Sequence, residues 1–425
     1  MGPARRLMAF LTILLYAFLS FALSGCGKVW VKIDARSSGQ SALYNTYGSG
    51  TSVDPYRIYT ASQISSLASS PAGWASTYQV ENNIDMAGVT ISQPIGNSTT
   101  NFTGVFNGNS YTISNFTLND SADSNVGLFG EVSGDGTSTG IIENLTMANA
   151  TVTASASGTI YVGILAGSIY GGEANNCSSS GTVSVSNSSA YVGGLIGYSE
   201  IEQVSPNNPG TFTNLSSSVN ISGTWLAAGG LFGYNDSGRI TYCHASGNIS
   251  GSGVAGGLIG DAFPNVNPLA ESYATGNVSG TSAVGGLIGL TDGGVSGFQN
   301  DFATGNVSGT TAVGGLVGWS IGVNTVIVRS YATGAVSGTT DVGGFLGQDN
   351  GSGGNTQYTG HSYWNNTVNS TLAGIGNATS SNVVGESTTN MQTQSTYSSG
   401  WNFTAGTGIW TMPTGGANQG YPIFQ

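Results

Sequence analysis

The stretch SYATGNVSGTSAVGGLIG, Ser272–Gly289, decides how this chain must be read, because the residues around it repeat it. The glycine box appears as VAGGLIG at Val254, VGGLIG at Val284, VGGLVG at Val313 and VGGFLG at Val342. Its paired glycines begin at Gly256, Gly285, Gly314 and Gly343, a period of 29 residues. Between the boxes a second segment keeps step: SYATGNVSG from Ser272, DFATGNVSG from Asp301 and SYATGAVSG from Ser330. A strict period without gaps means that each repeat is one structural unit stacked on the last.

Working outward, looser copies continue toward the N-terminus at Gly229–Gly233, Gly193–Gly197, Gly163–Gly167 and Gly127–Gly130. Their spacing stretches to 36 in two places, as expected of loops inserted on a fixed core path. Glycine and β-branched residues dominate, and no window has the apolar spacing of an amphipathic repeat helix. Short apolar runs broken by Ser-Gly, Thr-Gly and Asn-Gly predict strand, turn, strand. Propeller blades need about 40 to 50 residues, and helical repeats do not tolerate this much glycine. The expectation is therefore an all-β parallel solenoid of about ten coils.

Composition agrees. Charged residues make up 7% of the 425, against a hydrophobic fraction of 39%, which is not the signature of disorder. The formal charge of −12, with 8 Lys and Arg, argues against nucleic acid or an anionic membrane surface as partner.

The chain divides into five expected parts. Residues 1–25 are a leader: Arg5 and Arg6 precede an apolar run from Leu7 to Leu23 that ends in small residues. Residues 26–50 are a tether. Residues 51–125 hold an N-terminal cap and the first irregular coils. Thr60 and Gln63 have capping-box spacing, so a short helix is predicted over Ala61–Ser69, with Trp74 and Tyr78 beneath it. Asn107-Gly108 predicts a tight turn. Residues 126–353 are the solenoid, and 354–425, rich in aromatics, are a C-terminal cap over the open end.

Two resemblances add to this reading. Leu23-Ser24-Gly25-Cys26 resembles the bacterial lipobox, which implies cleavage before Cys26, lipidation of that cysteine, and a membrane anchor in the outer membrane or at the cell surface. The glycine boxes, the aromatic-A-T-G strand, DPYRIYTASQISSLA from Asp54 and FNGNSYTISN from Phe106 resemble bacterial surface proteins with GLUG motifs. That resemblance implies a right-handed parallel β-helix, export and an adhesin-like role, without a defined ligand.

Aligned repeats form columns. One column is Cys177, Leu215, Cys243, Ser272, Asp301 and Ser330, assigned inward; nothing in the sequence accounts for a carboxylate at Asp301. Strand alternation then turns His244, Tyr273, Phe302 and Tyr331 outward, as a ladder of rings that either binds sugar or peptide or only stacks. Cys177 and Cys243 lie two coils apart with Leu215 between them, so no disulfide is expected and both are free buried thiols.

With two histidines, His244 and His361, the sequence has no zinc motif, and no cofactor is expected. Asp292 and Asp341 fall at different repeat phases, which does not suit a facing carboxylate pair. The expected function is a non-catalytic, monomeric cell-surface lipoprotein that binds an extracellular glycan or a host or matrix protein. A polysaccharide-degrading β-helix, hydrolase or lyase, is the alternative, and a passive surface spacer is a third reading.

Overall fold

The computed structural model describes residues 48–134, 139–200, 211–236, 238–263, 269–292, 297–322, 325–350, 356–397 and 400–425. The leader, Cys26 and nearly all of the tether lie outside the described residues.

The chain winds as a parallel β-helix. One strand from each coil joins an 11-stranded parallel sheet that runs from Tyr56–Ile58 to Gln357–Thr359. At about 4.8 Å per strand the stack is about 50 Å long. The remaining coil strands form a second, wider network, also parallel. Each residue of the strict repeats pairs with its own equivalent 29 positions on: Tyr273 with Phe302, Val278 with Val307, Val284 with Val313. The looser copies obey the same register. Ser178 pairs with Ser216, and most of the surplus residues of that long coil fall between strands Ile196–Glu200 and Thr211–Thr213.

The repeat's residue types follow from this winding. A Cβ added at Gly286 would lie 2.1 Å from the Gly315 carbonyl oxygen and 2.9 Å from the Ala303 Cβ. The second glycine of each pair thus makes room for the next coil's backbone and for the small alanine of the A-T-G strand. One corner between the sheets needs a left-handed residue, and Asn144, Asn176 and Asn214 supply it at φ 54°, 53° and 55°. Their amides also chain along the axis, with Asn176 Nδ2 donating to Asn144 Oδ1 at 3.1 Å and Asn214 Nδ2 to Asn176 Oδ1 at 3.0 Å. The asparagine of T-G-N-V-S-G has another task. Oδ1 of Asn248 and Asn277 accepts from the backbone N–H of Asn277 and Asn306, at 2.9 and 3.0 Å.

The inward column explains Asp301. Every member from Cys177 to Ser330 is buried. From Ser272 onward each side chain receives a backbone N–H from the preceding coil: Cys243 N–H donates to Ser272 Oγ (3.1 Å), Ser272 N–H to Asp301 Oδ1 (2.9 Å) and Asp301 N–H to Ser330 Oγ (3.2 Å). The serine hydroxyls also donate to the carbonyls of Ala270 and Val328. A protonated carboxyl has the same two capacities, whereas a carboxylate has no proton to donate. Burial pushes the Asp301 carboxyl well above the usual carboxylate range.

The sign of the pH effect follows. A carboxyl with a raised folded-state pKa supports the fold fully below its unfolded value, near 3.9. It loses that support as pH rises, by about 1.4 kcal/mol per unit, until the folded pKa is passed. Asp301→Asn, which keeps an acceptor and a non-titrating donor, is expected to match the wild type at acid pH and exceed it increasingly toward neutrality. Denaturant titrations at several pH values read this directly; a pH-independent difference would contradict the account.

Both ends are covered. Helix α1 (Ala61–Ala68) has the predicted capping box between Thr60 and Gln63 and buries Ile64, Leu67 and Ala68. Trp74 packs beneath it and donates from Nε1 to the Leu67 carbonyl at 2.8 Å. The predicted turn occurs just after Asn107-Gly108, with Asn109 and Ser110 left-handed at φ 52° and 63°. It joins strands of different sheets.

The C-terminal expectation needs correction. Coil strands continue past residue 353 to Val383–Glu386, which pairs with Ser362–Asn365. A short helix, Thr388–Met391, follows, and then an antiparallel pair, Trp410–Thr411 with Ile423–Phe424. This last segment packs on the flank of the solenoid, not only over its end. It is called the strap below.

Candidate functional site

The register brings the predicted ladder together. His244, Tyr273, Phe302 and Tyr331 stack with centroids 4.8, 4.7 and 4.9 Å apart and planes within 3° of parallel. The ladder continues through Tyr363, paired with Tyr331.

Its surroundings overturn the expected open strip at two of the four positions. Phe302 and Tyr331 are 2% and 0% exposed, and the strap covers them. Phe424 lies 5.4 Å from Phe302 and 6.0 Å from Tyr273, and Trp410 lies 5.9 Å from Tyr331. The Tyr331 hydroxyl donates to the Pro422 carbonyl at 2.5 Å and accepts from Asn418 Nδ2 at 2.7 Å. The physical reason is geometric. Rings stacked face to face consume each other's faces and leave apolar edges outward, and the tail's aromatics close over those edges. His244 and Tyr273 remain half-buried, and burial holds the His244 imidazole below its ordinary value. The aromatic density of the tail was visible in the sequence, but its target was not.

A second surface escaped the sequence reading. Strand pairing aligns Tyr198, Tyr234, Asp261, Leu290 and Trp319 in one outward column, with the buried Ser168 at its head. Tyr161 and Tyr191 stand beside it, with Tyr161 4.6 Å from Tyr198 and Tyr191 5.3 Å from Tyr234. The Tyr198 hydroxyl donates to Glu200. Burial and then Asp292 push the Asp261 carboxyl up to about 7. The surface combines phenol edges with carboxylates and can accept hydrogen bonds from a donor-rich or cationic group. A signal existed: these residues follow the last glycine of each box, as in Gly197-Tyr198 and Gly233-Tyr234.

Other expected chemistry is placed as follows. Cys177 and Cys243 are free and buried, with Leu215 in the coil between, and burial pushes both thiols up to about 12. Among the described residues no group of three or more His, Cys, Asp or Glu is placed to hold a metal ion.

Comparison with known proteins is consistent with this architecture. Residues 226–250, which include one glycine box, match the family model of the GLUG motif. An alignment 203 residues long, which covers 45% of this chain, is 34% identical to halomucin of Haloquadratum walsbyi. That match spans only 2% of halomucin's length. The crystal structure of a candidate immunoglobulin A1 protease from Bacteroides ovatus superposes with a TM-score of 0.50. The two are 21% identical, over 90% of this chain and 95% of that one, which is a likeness of fold.

Proposed function

We propose that this chain is a surface-displayed lipoprotein with an adhesin-like, non-catalytic role, binding an extracellular glycan or protein as a monomer. The observation that carries the reading is the polar face built by the N-V-S-G segments. Ser222, Ser250, Ser279, Ser308 and Ser337 form one unbroken outward column. Asn220, Asn248, Asn277 and Asn306 stand exposed beside it. Such a surface can exchange hydrogen bonds with a repeating ligand along many coils, without steering by charge. The GLUG motif and the likeness to halomucin support surface display.

Anchoring through Cys26 supplies the address. Cys26→Ser in the full chain should leave the protein unlipidated and lost from the membrane fraction, and retention like the wild type would sink the anchor. For binding, the intact protein is applied to arrays of glycans and of matrix proteins. Saturable binding to one class, with no product released from it, is expected; silence on both arrays would leave the spacer reading in its place.

A further inference from the structure

Beside the ladder, the strap and the solenoid enclose a cleft of about 650 Å³. Its solenoid wall is the threonine of the A-T-G segment in three successive coils, Thr275, Thr304 and Thr333, with Asn306 at the margin. Its strap wall includes Asn418 and Gln419. The backbone N–H groups of Thr304 and Thr333 donate to the carbonyls of Ala274 and Ala303, one coil back, so the row holds the coil register. It advances by about 4.8 Å per rung along the axis.

Three features set this cleft apart from an accidental gap. Every described residue that lines it is uncharged, and most carry a hydroxyl or an amide. Thr333 is 6% exposed, and its Oγ1 is buried without a hydrogen-bond partner. Buried hydroxyls in folded proteins are paired, so this one lacks the partner that burial ordinarily requires, in a residue that lines the cleft. On the opposite wall, Asn418 and Gln419 hold left-handed φ values of 44° and 54°. Strain of this kind at non-glycine residues collects at ligand clamps. Here it is fixed by Asn418 Nδ2 on the Tyr331 hydroxyl and by Gln392 Nε2 on the Gln419 carbonyl.

We propose that the cleft binds a neutral, extended oligosaccharide that runs parallel to the solenoid axis, one sugar ring to a coil. The inference rests on the binding role proposed above and names its site and ligand class. A sugar hydroxyl both donates and accepts, as do the threonine hydroxyls and the amides of the two walls. The rung spacing is close to the advance of one pyranose ring in an extended chain. A charged ligand would meet no counter-charge, and its desolvation would oppose entry.

The test uses the intact protein and titration calorimetry with cello-, chito- and malto-oligosaccharides of two to six units. Affinity for one series is expected to rise with length up to about the three rungs of the row. The Thr304→Val, Thr333→Val double variant keeps the β-branched shape, so its Tm should not fall, while affinity drops at least about tenfold. Wild-type affinity retained by the folded double variant would overturn the cleft and leave the binding role standing. Binding confined to anionic glycans or to proteins would overturn the ligand class. No binding on any array would remove the inference together with the role it rests on.

Discussion

Gly286→Ala is expected to destabilise the β-helix by about 3 kcal/mol, at the upper end of the range for overpacking a core. The added methyl would sit 2.1 Å from the Gly315 carbonyl oxygen, 2.9 Å from the Ala303 Cβ and 3.2 Å from the Gly315 carbonyl carbon. Two of these three are backbone atoms of the next coil, which cannot rotate aside. The same collision recurs at Gly257 and Gly315, where the added atom would lie 2.0 and 2.2 Å from the next glycine's carbonyl oxygen. Relief would require separating coils and breaking their ladder hydrogen bonds. Gly297→Ala serves as the control, since the nearest atom to its Cβ is Val326 O at 3.3 Å. It should change stability by less than about 1 kcal/mol. Denaturant midpoints compare the two, and equal effects would show that the glycine pair is not packed as described.

The strap should respond very differently from the coil core. Trp410 is fully buried and sits 4.7 Å from Trp401, 4.9 Å from Phe424 and 5.9 Å from Tyr331. Removing its ring by Trp410→Ala should cost about 3 to 5 kcal/mol. The aromatic cluster beneath the strap is distinct from the main core. The loss should therefore fall on strap docking, while the coils keep their own ladder hydrogen bonds. Expected results are rapid proteolysis within residues 400–425, new dye binding at the uncovered Phe302 and Tyr331, and an unchanged β signal in circular dichroism. Global unfolding in step with strap release would merge the strap into the coil core and contradict this division.

Much of the architecture was legible because the repeat is strict. A 29-residue period fixes which residues pair, and pairing fixed the ladder of His244, Tyr273, Phe302 and Tyr331 and the buried column through Asp301. The capping box at Thr60 was equally local. What the repeat could not reveal was anything that crosses it. The strap meets the ladder through Tyr331 and Pro422, 91 positions apart, and no periodicity encodes that contact. The role of Asp301 needed the neighbouring coils' N–H groups, which become visible only once the corner is built. The tyrosine and carboxylate surface was missed for a related reason. Its members occupy one phase of the repeat, but Tyr198, Tyr234, Asp261, Leu290 and Trp319 share no chemistry that marks them as a column.

Distance along the molecule counts coils and not residues. It can be measured by spin-label distance spectroscopy on the outward column Asn119, Thr153, Ser184, Ser222, Ser250, Ser279, Ser308 and Ser337. One label is placed at Ser337→Cys, and the other at Ser250→Cys, Ser222→Cys or Ser184→Cys. Three, four and five coil steps predict backbone separations of about 14, 19 and 24 Å. The increment should stay constant although the coil from Ser184 to Ser222 is longer in sequence than the coil from Ser222 to Ser250. Separations that follow residue number, or that fail to increase through the series, would contradict the parallel winding on which every site described here depends.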